Sequence, residues 1–129
     1  MPRLVVDAMN VIGARPSGWW RDRDAAARQL LARLQRFAAD SGEEVILVLD
    51  GRPLPDLPAG PHDGVQLLYA RRRGRNAADD RIVEAIAADA RPASLCVVTS
   101  DRELQRRVRD LGAKTVAVSA LLERLDALD

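Results

Sequence analysis

Histidine, cysteine and lysine occur once each in this chain, as His62, Cys96 and Lys114, and each scarcity removes a class of chemistry. With one histidine and one cysteine there is no set of His and Cys ligands for a zinc site, and His62 stands in a proline-rich stretch where a Ser-His-Asp or Cys-His arrangement would have no base. Cys96 lies inside the apolar run Leu95-Cys96-Val97-Val98 and reads as a core residue. Only Trp19, Trp20, Phe37 and Tyr69 are aromatic, so the core must be aliphatic. No hydrophobic run approaches the ~20 residues that span a membrane, and the first strand follows Met1-Pro2 directly, without the longer apolar region of a secretory signal. The expectation is a cytoplasmic protein. Because lysine is nearly absent, the positive charge is carried almost wholly by arginine, the better fork for phosphate.

What the chain does have is a set of short, buried-type strands that end in acids. Leu4-Val5-Val6 is an unbroken apolar run delivering Asp7; Val45-Ile46-Leu47-Val48-Leu49 delivers Asp50-Gly51; Leu95 to Val98 delivers Thr99-Ser100-Asp101. Runs of this kind suit strands buried on both faces of a parallel sheet, and ligands bind such sheets at the carboxyl ends of the strands. Val65-Gln66-Leu67-Leu68-Tyr69 and Thr115 to Val118 add two further strands. Between them run helical stripes: Leu30, Leu31, Leu34, Phe37 and Ala38, with Asp22 or Asp24 as cap; Ile82, Val83, Ile86 and Ala87; Leu104, Val108 and Leu111; and Leu121, Leu122, Leu125 and Leu128. The alternation predicts one domain over residues 1–129, an α/β fold with a doubly wound parallel sheet of about five strands. The stretch Gly51 to Gly64, dense in Pro and Gly, reads as a long surface loop.

Each acid also has a purely structural reading. Asp50-Gly51 is a common turn pair. Asn76 and Asp79 have the spacing of a helix-start capping box, yet Asp79 shares a face with Ile82, Val83 and Ile86 and so points toward the sheet, whereas Asp80 points further round. Ser100 and Glu103 form a second such box, which leaves Asp101 free to face the crevice. Asp7 has no comparable structural duty. If Asp7, Asp79 and Asp101 converge, two carboxylates ~4 Å apart repel by about 4 kcal/mol at an effective dielectric near 20, and the cluster must take up protons or a cation. Oxygen-only ligands select Mg²⁺ or Mn²⁺, and the chemistry that follows is metal-assisted phosphodiester hydrolysis.

Val6-Asp7-Ala8-Met9-Asn10-Val11-Ile12, Leu49-Asp50-Gly51, Asn76-Ala77-Ala78-Asp79-Asp80-Arg81-Ile82 and Val97-Val98-Thr99-Ser100-Asp101-Arg102-Glu103-Leu104 resemble, in order, the motif blocks of the NYN domain, a member of the PIN-like ribonucleases, in its YacP-like branch. The resemblance implies a parallel sheet flanked by helices, a Mg²⁺ or Mn²⁺ site, and endonucleolytic cleavage of single-stranded RNA. It would make Asp7, Asp79 and Asp101 metal-binding acids, Asn10 a polar member of the same catalytic pocket and Asp50 a supporting acid. It also brings in the ribosome as a partner, through similarity to factors that cleave messenger RNA there. Ala8 departs from the family's usual glycine, and a methyl at that position would hinder close approach of substrate.

Arg71, Arg72, Arg73 and Arg75, around Gly74, form the densest positive cluster and read either as a solvated loop or as clamps on the RNA backbone. Of Trp19 and Trp20, one is expected under the first long helix, leaving the other to stack a base. Two other readings stand beside the nuclease: an RNA- or ribosome-binding domain of the same fold with little activity, and a phosphotransfer sheet. The last needs a lysine after a late strand, and Lys114 precedes one.

Overall fold

The computed structural model describes residues 3–129. Strand β1 (Arg3–Asp7) passes straight into a short helix α1 (Ala8–Ile12); a single 3-10 turn over Trp19–Arg21 precedes the long helix α2 (Arg23–Ser41). Then come β2 (Glu44–Leu49), β3 (Gly60–His62), β4 (Val65–Tyr69) and α3 (Ala77–Ala87). A 3-10 turn at Pro92–Ser94 leads to β5 (Leu95–Val98), α4 (Arg102–Asp110), β6 (Lys114–Val116) and α5 (Val118–Asp126).

The six strands make one sheet in the order β3-β4-β2-β1-β5-β6, with every pairing parallel except β3 with β4. The sheet is doubly wound, as expected. From β1 the chain moves to one side through β2 and β4, then crosses back to place β5 on the other side, so the order reverses at β1. A crevice therefore opens at the carboxyl end of β1, where Asp7 stands.

Alternation along the strands sorts the core into two layers. Leu4 and Val6 face α2 and α5 in a cluster with Leu30, Leu34, Phe37, Leu121 and Leu125, while Val5 faces α3 and α4 with Ile82, Ile86, Leu104 and Val108. Cys96 packs half-buried against the first of these layers. Asp22 caps α2 by accepting the Ala25 N–H at 2.9 Å, and Gly42, at φ +73°, closes it in a left-handed conformation that any side chain would strain.

Two expectations are corrected. The sheet has six strands, because the end of the Pro- and Gly-rich stretch forms β3, antiparallel to β4. Its turn, Asp63-Gly64, has positive φ at both residues (45° and 90°), the backbone a tight two-residue hairpin needs, and Asp-Gly supplies it. And Val118 begins α5 instead of ending β6.

Candidate active site

Asp7 is 2% exposed, and Thr99, just beyond β5, is fully buried beside it. The side-by-side parallel pairing of β1 with β5, Val6 opposite Val98, is what brings the two strand ends together. Thr99 Oγ1 donates to Asp7 Oδ2 at 3.1 Å, and Asn10 Nδ2 donates to the same oxygen at 2.5 Å. Asn10 reaches back because α1 starts at Ala8, which sets residues 7 and 10 one turn apart. The amide is fixed at its other end, where Asn10 Oδ1 accepts from the Ser100 hydroxyl at 2.5 Å and from the Ser100 N–H at 3.2 Å. Both side-chain donors fall on Oδ2, leaving Oδ1 of Asp7 without one.

Burial raises the Asp7 carboxyl to about 6; the Thr99 hydrogen bond opposes that rise, the negative charge of Asp79 adds to it, and Asn10 lowers it again. Asp79, half-buried near the start of α3, is also raised, first by burial and then by the charge of Asp101, with the Arg107 guanidinium pulling the other way. Asp79 thus stands between Asp7, which its charge reaches, and Asp101, whose charge reaches it. They do not close into a single ligand group: among the described residues no three His, Cys, Asp or Glu side chains are gathered closely enough to hold a metal ion.

The capping expectations change as well. Asp101 is itself the cap of α4, accepting the Leu104 N–H at 3.0 Å, while Ser100 is turned to Asn10 and Glu103 pairs with Arg106. Asn76 stands at the start of α3 with φ +62° and its side chain makes no cap hydrogen bond, so the Asn76–Asp79 box is not formed.

Asp50 lies apart from Asp7. It is half-exposed on the wall of a neighbouring cleft of about 810 Å³, 3.8 Å from Arg23. Of the arginine cluster, Arg71 is turned to Glu84 at 2.6 Å and Arg72 to Asp80 at 2.7 Å; Arg73 and Arg75 have no carboxylate partner among the described residues. Arg73 lines the cleft with Arg72, whereas Arg71 and Arg75 do not. The Ala8 methyl is fully buried in the core, so it does not obstruct the crevice. Trp19 is half-buried under the Arg23 guanidinium, 5.9 Å from its ring centre, and Trp20 is 56% exposed, edge-on to Trp19.

Sequence reasoning missed two contributors to the edge, Thr99 and Arg107. A hydroxyl one residue past a strand that pairs with β1 was a usable signal for Thr99. Arg107 had none, since only the packing of α4 against α3 brings it to Asp80 at 3.0 Å.

An acid on the central strand at a switch point, with two more at the starts of α3 and α4, lies at the ligand-binding edge of a doubly wound α/β domain. Residues 4–129 match the family described as the YacP-like NYN domain, and the chain belongs to that family, within the PIN-like nuclease class. Rae1 (YacP) from Bacillus subtilis is similar in structure, with a TM-score of 0.77 at 25% identity over 99% of this chain and 75% of that one. A tryptophan-to-leucine mutant of the same protein gives a TM-score of 0.79 at 24% identity over 99% and 77%. No curated protein matches the sequence.

Proposed function

We propose that this chain is a metal-dependent endoribonuclease that hydrolyses phosphodiester bonds of single-stranded RNA in the cytoplasm, with the ribosome as a further partner. One observation carries the reading. The charge of Asp79 bears on Asp7 and that of Asp101 on Asp79, and none of the three has an ion-pair partner among the described residues, whereas Asp80, next in the chain to Asp79, has two arginines. An edge of carboxylate oxygens offset only by the Arg107 guanidinium near Asp79 fits a hard divalent cation, Mg²⁺ or Mn²⁺, in donor type. Asp7 and Asp79 would hold it, with Asp101 at its rim. Such a cation, when bound, makes a water acidic enough to attack at neutral pH and offsets charge on the leaving oxygen.

The chain's own residues prepare the edge. Thr99 and Asn10 hold Asp7 Oδ2 and fix the carboxylate plane, Ser100 keeps the Asn10 amide in the orientation that donates, and Arg107 tempers the charge on Asp79. Cleavage of a labelled single-stranded RNA by the wild type and by Asp7→Asn, with Mn²⁺, Mg²⁺ or EDTA, tests the reading. Metal-dependent cutting that Asp7→Asn abolishes supports it; cutting that persists in EDTA or in the variant overturns it.

A binding module that cleaves little is favoured by one observation, that no three acids gather closely among the described residues, with Asp101 engaged as a helix cap. RNA or ribosome binding without cleavage, in any of the metals, is its signature.

A further inference from the structure

We infer that the cleft of about 810 Å³ beside the acidic edge is a subsite for the nucleotides that flank the scissile bond of a single-stranded RNA, with Arg52 and Arg73 as its phosphate-binding groups. The substrate class rests on the ribonuclease reading above; the site rests on charge, wall and position.

Four arginines line the cleft, Arg23, Arg52, Arg72 and Arg73, against the acids Asp24 and Asp50. Two of the four are committed, Arg23 near Asp50 and stacked on Trp19, Arg72 to Asp80. Arg52 and Arg73 have no carboxylate partner among the described residues, and they come from different walls: Arg52 from the loop after β2, Arg73 from the loop before α3. A phosphodiester between them meets a guanidinium fork from each side.

The wall that carries Arg52 is held in place before any ligand arrives. The Tyr69 hydroxyl accepts the Leu54 N–H at 3.2 Å and donates to the Leu57 carbonyl at 2.7 Å. Arg28 grips Asp56 through two hydrogen bonds, at 3.0 and 2.9 Å, and the β3–β4 hairpin anchors the far end. A preformed wall spares the ordering cost that a floppy loop would impose on binding.

The position of the cleft favours a polymer over a free nucleotide, and Met9 marks the junction. It borders both this cleft and a second cavity of about 600 Å³ that includes Asn10 and Ser100, so α1 stands between two openings on either side of the Asp7 network. A strand running from one to the other passes over Met9 and beside Asn10, the amide that holds Asp7 Oδ2, and a mononucleotide would fill only one.

The test is fluorescence anisotropy of a fluorescein-labelled twelve-nucleotide oligouridylate in EDTA across a salt series. Its proteins are the wild type, Arg52→Ala/Arg73→Ala, and a control, Arg91→Ala/Lys114→Ala, that removes the same charge from the amino ends of β5 and β6. Removing both cleft arginines should weaken binding about tenfold or more and reduce the salt slope by about 1.4, at ~0.7 per phosphate contact on a single strand. The control should stay within about twofold, and thermal melting should show all three folded. Equal affinity of the cleft variant and the wild type, an equal loss in the control, or no binding by the wild type overturns the inference. The two readings fail separately: cleft-dependent binding with no metal-dependent cleavage removes the nuclease and keeps the cleft, and cleavage that needs Asp7 but not the two arginines does the reverse.

Discussion

Thr99 and Asp7 share one hydrogen bond across two strand ends, and the same hydroxyl that donates to Asp7 Oδ2 at 3.1 Å accepts the Asp101 N–H at 3.1 Å. One buried side chain thus ties together the positions of two acids 94 residues apart in the chain. The bond favours the charged form of Asp7 and opposes the effect of its burial. Thr99→Val keeps the shape and deletes the donor, so the Asp7 carboxyl should titrate higher than about 6, by roughly one unit for a hydrogen bond worth about 1 kcal/mol. Carboxyl-carbon NMR titration of the metal-free protein reads this directly, and an unmoved midpoint would show that the hydroxyl does not act on Asp7.

The raised Asp7 carboxyl also costs stability. Its folded value, about 6, lies above the ordinary 3.8, so folding favours the protonated form; that contribution is full below about pH 3.8 and is lost as the pH rises through 6. At pH 7.5 the buried charge works against folding by on the order of 2–3 kcal/mol. Asp7→Asn removes the charge and can still accept from Thr99. It should raise Tm at pH 7.5 by ~6–12 °C while showing little gain at pH 4. Calorimetry at the two pH values checks the sign, and a lower Tm at pH 7.5 would contradict it.

A divalent cation should relieve the same repulsion. Mn²⁺ at about a hundred times its Kd would stabilise the fold by about 2.7 kcal/mol, seen as a rise in Tm. Since protons compete for the same oxygens, the rise should be larger at pH 8 than at pH 5 and should shrink in Asp7→Asn. Thermal shift with and without EDTA measures it, without any need for cleavage.

Much of this architecture was legible because it depends on local pattern. The apolar runs that became β1, β2, β4 and β5 and the stripes of α2 to α5 are visible as residue types, and the acids at their ends followed from strand direction. The short β3 was hidden by its prolines, although Asp63-Gly64 announced the hairpin. The site was less legible where it depends on who sits beside whom. Asp101 could be read as free only while Ser100 was assigned to the cap, and Ser100 is drawn away by an Asn10 that α1 alone swings into reach. Arg72 and Arg71 likewise look alike in sequence; Glu84 and Asp80, one turn apart on α3, take one each.

Tyr69→Phe tests the loop wall. The hydroxyl is the one side-chain partner of the Leu54 N–H and the Leu57 carbonyl among the described residues, and its loss should lower Tm by ~3–8 °C for a cost of about 1–2 kcal/mol. The segment from Gly51 to Ala59 should then be cut faster by a nonspecific protease at temperatures well below unfolding. Limited proteolysis with mass spectrometry locates the nick, and cutting elsewhere would show that the wall is held by other contacts.

Six strands side by side leave two outer rims, and both are short. β3 and β6 are each three residues long, and β3 carries Pro61, which has no N–H to offer a neighbouring chain. The four longer strands, rich in Val, Ile and Leu, are flanked on both sides and never present a bare row of backbone donors and acceptors. Pro61, which helped obscure β3 in the sequence, therefore acts as a guard against one molecule adding its strands to the next, a safeguard against fibrous self-association in a chain whose core is made of the residues most prone to it.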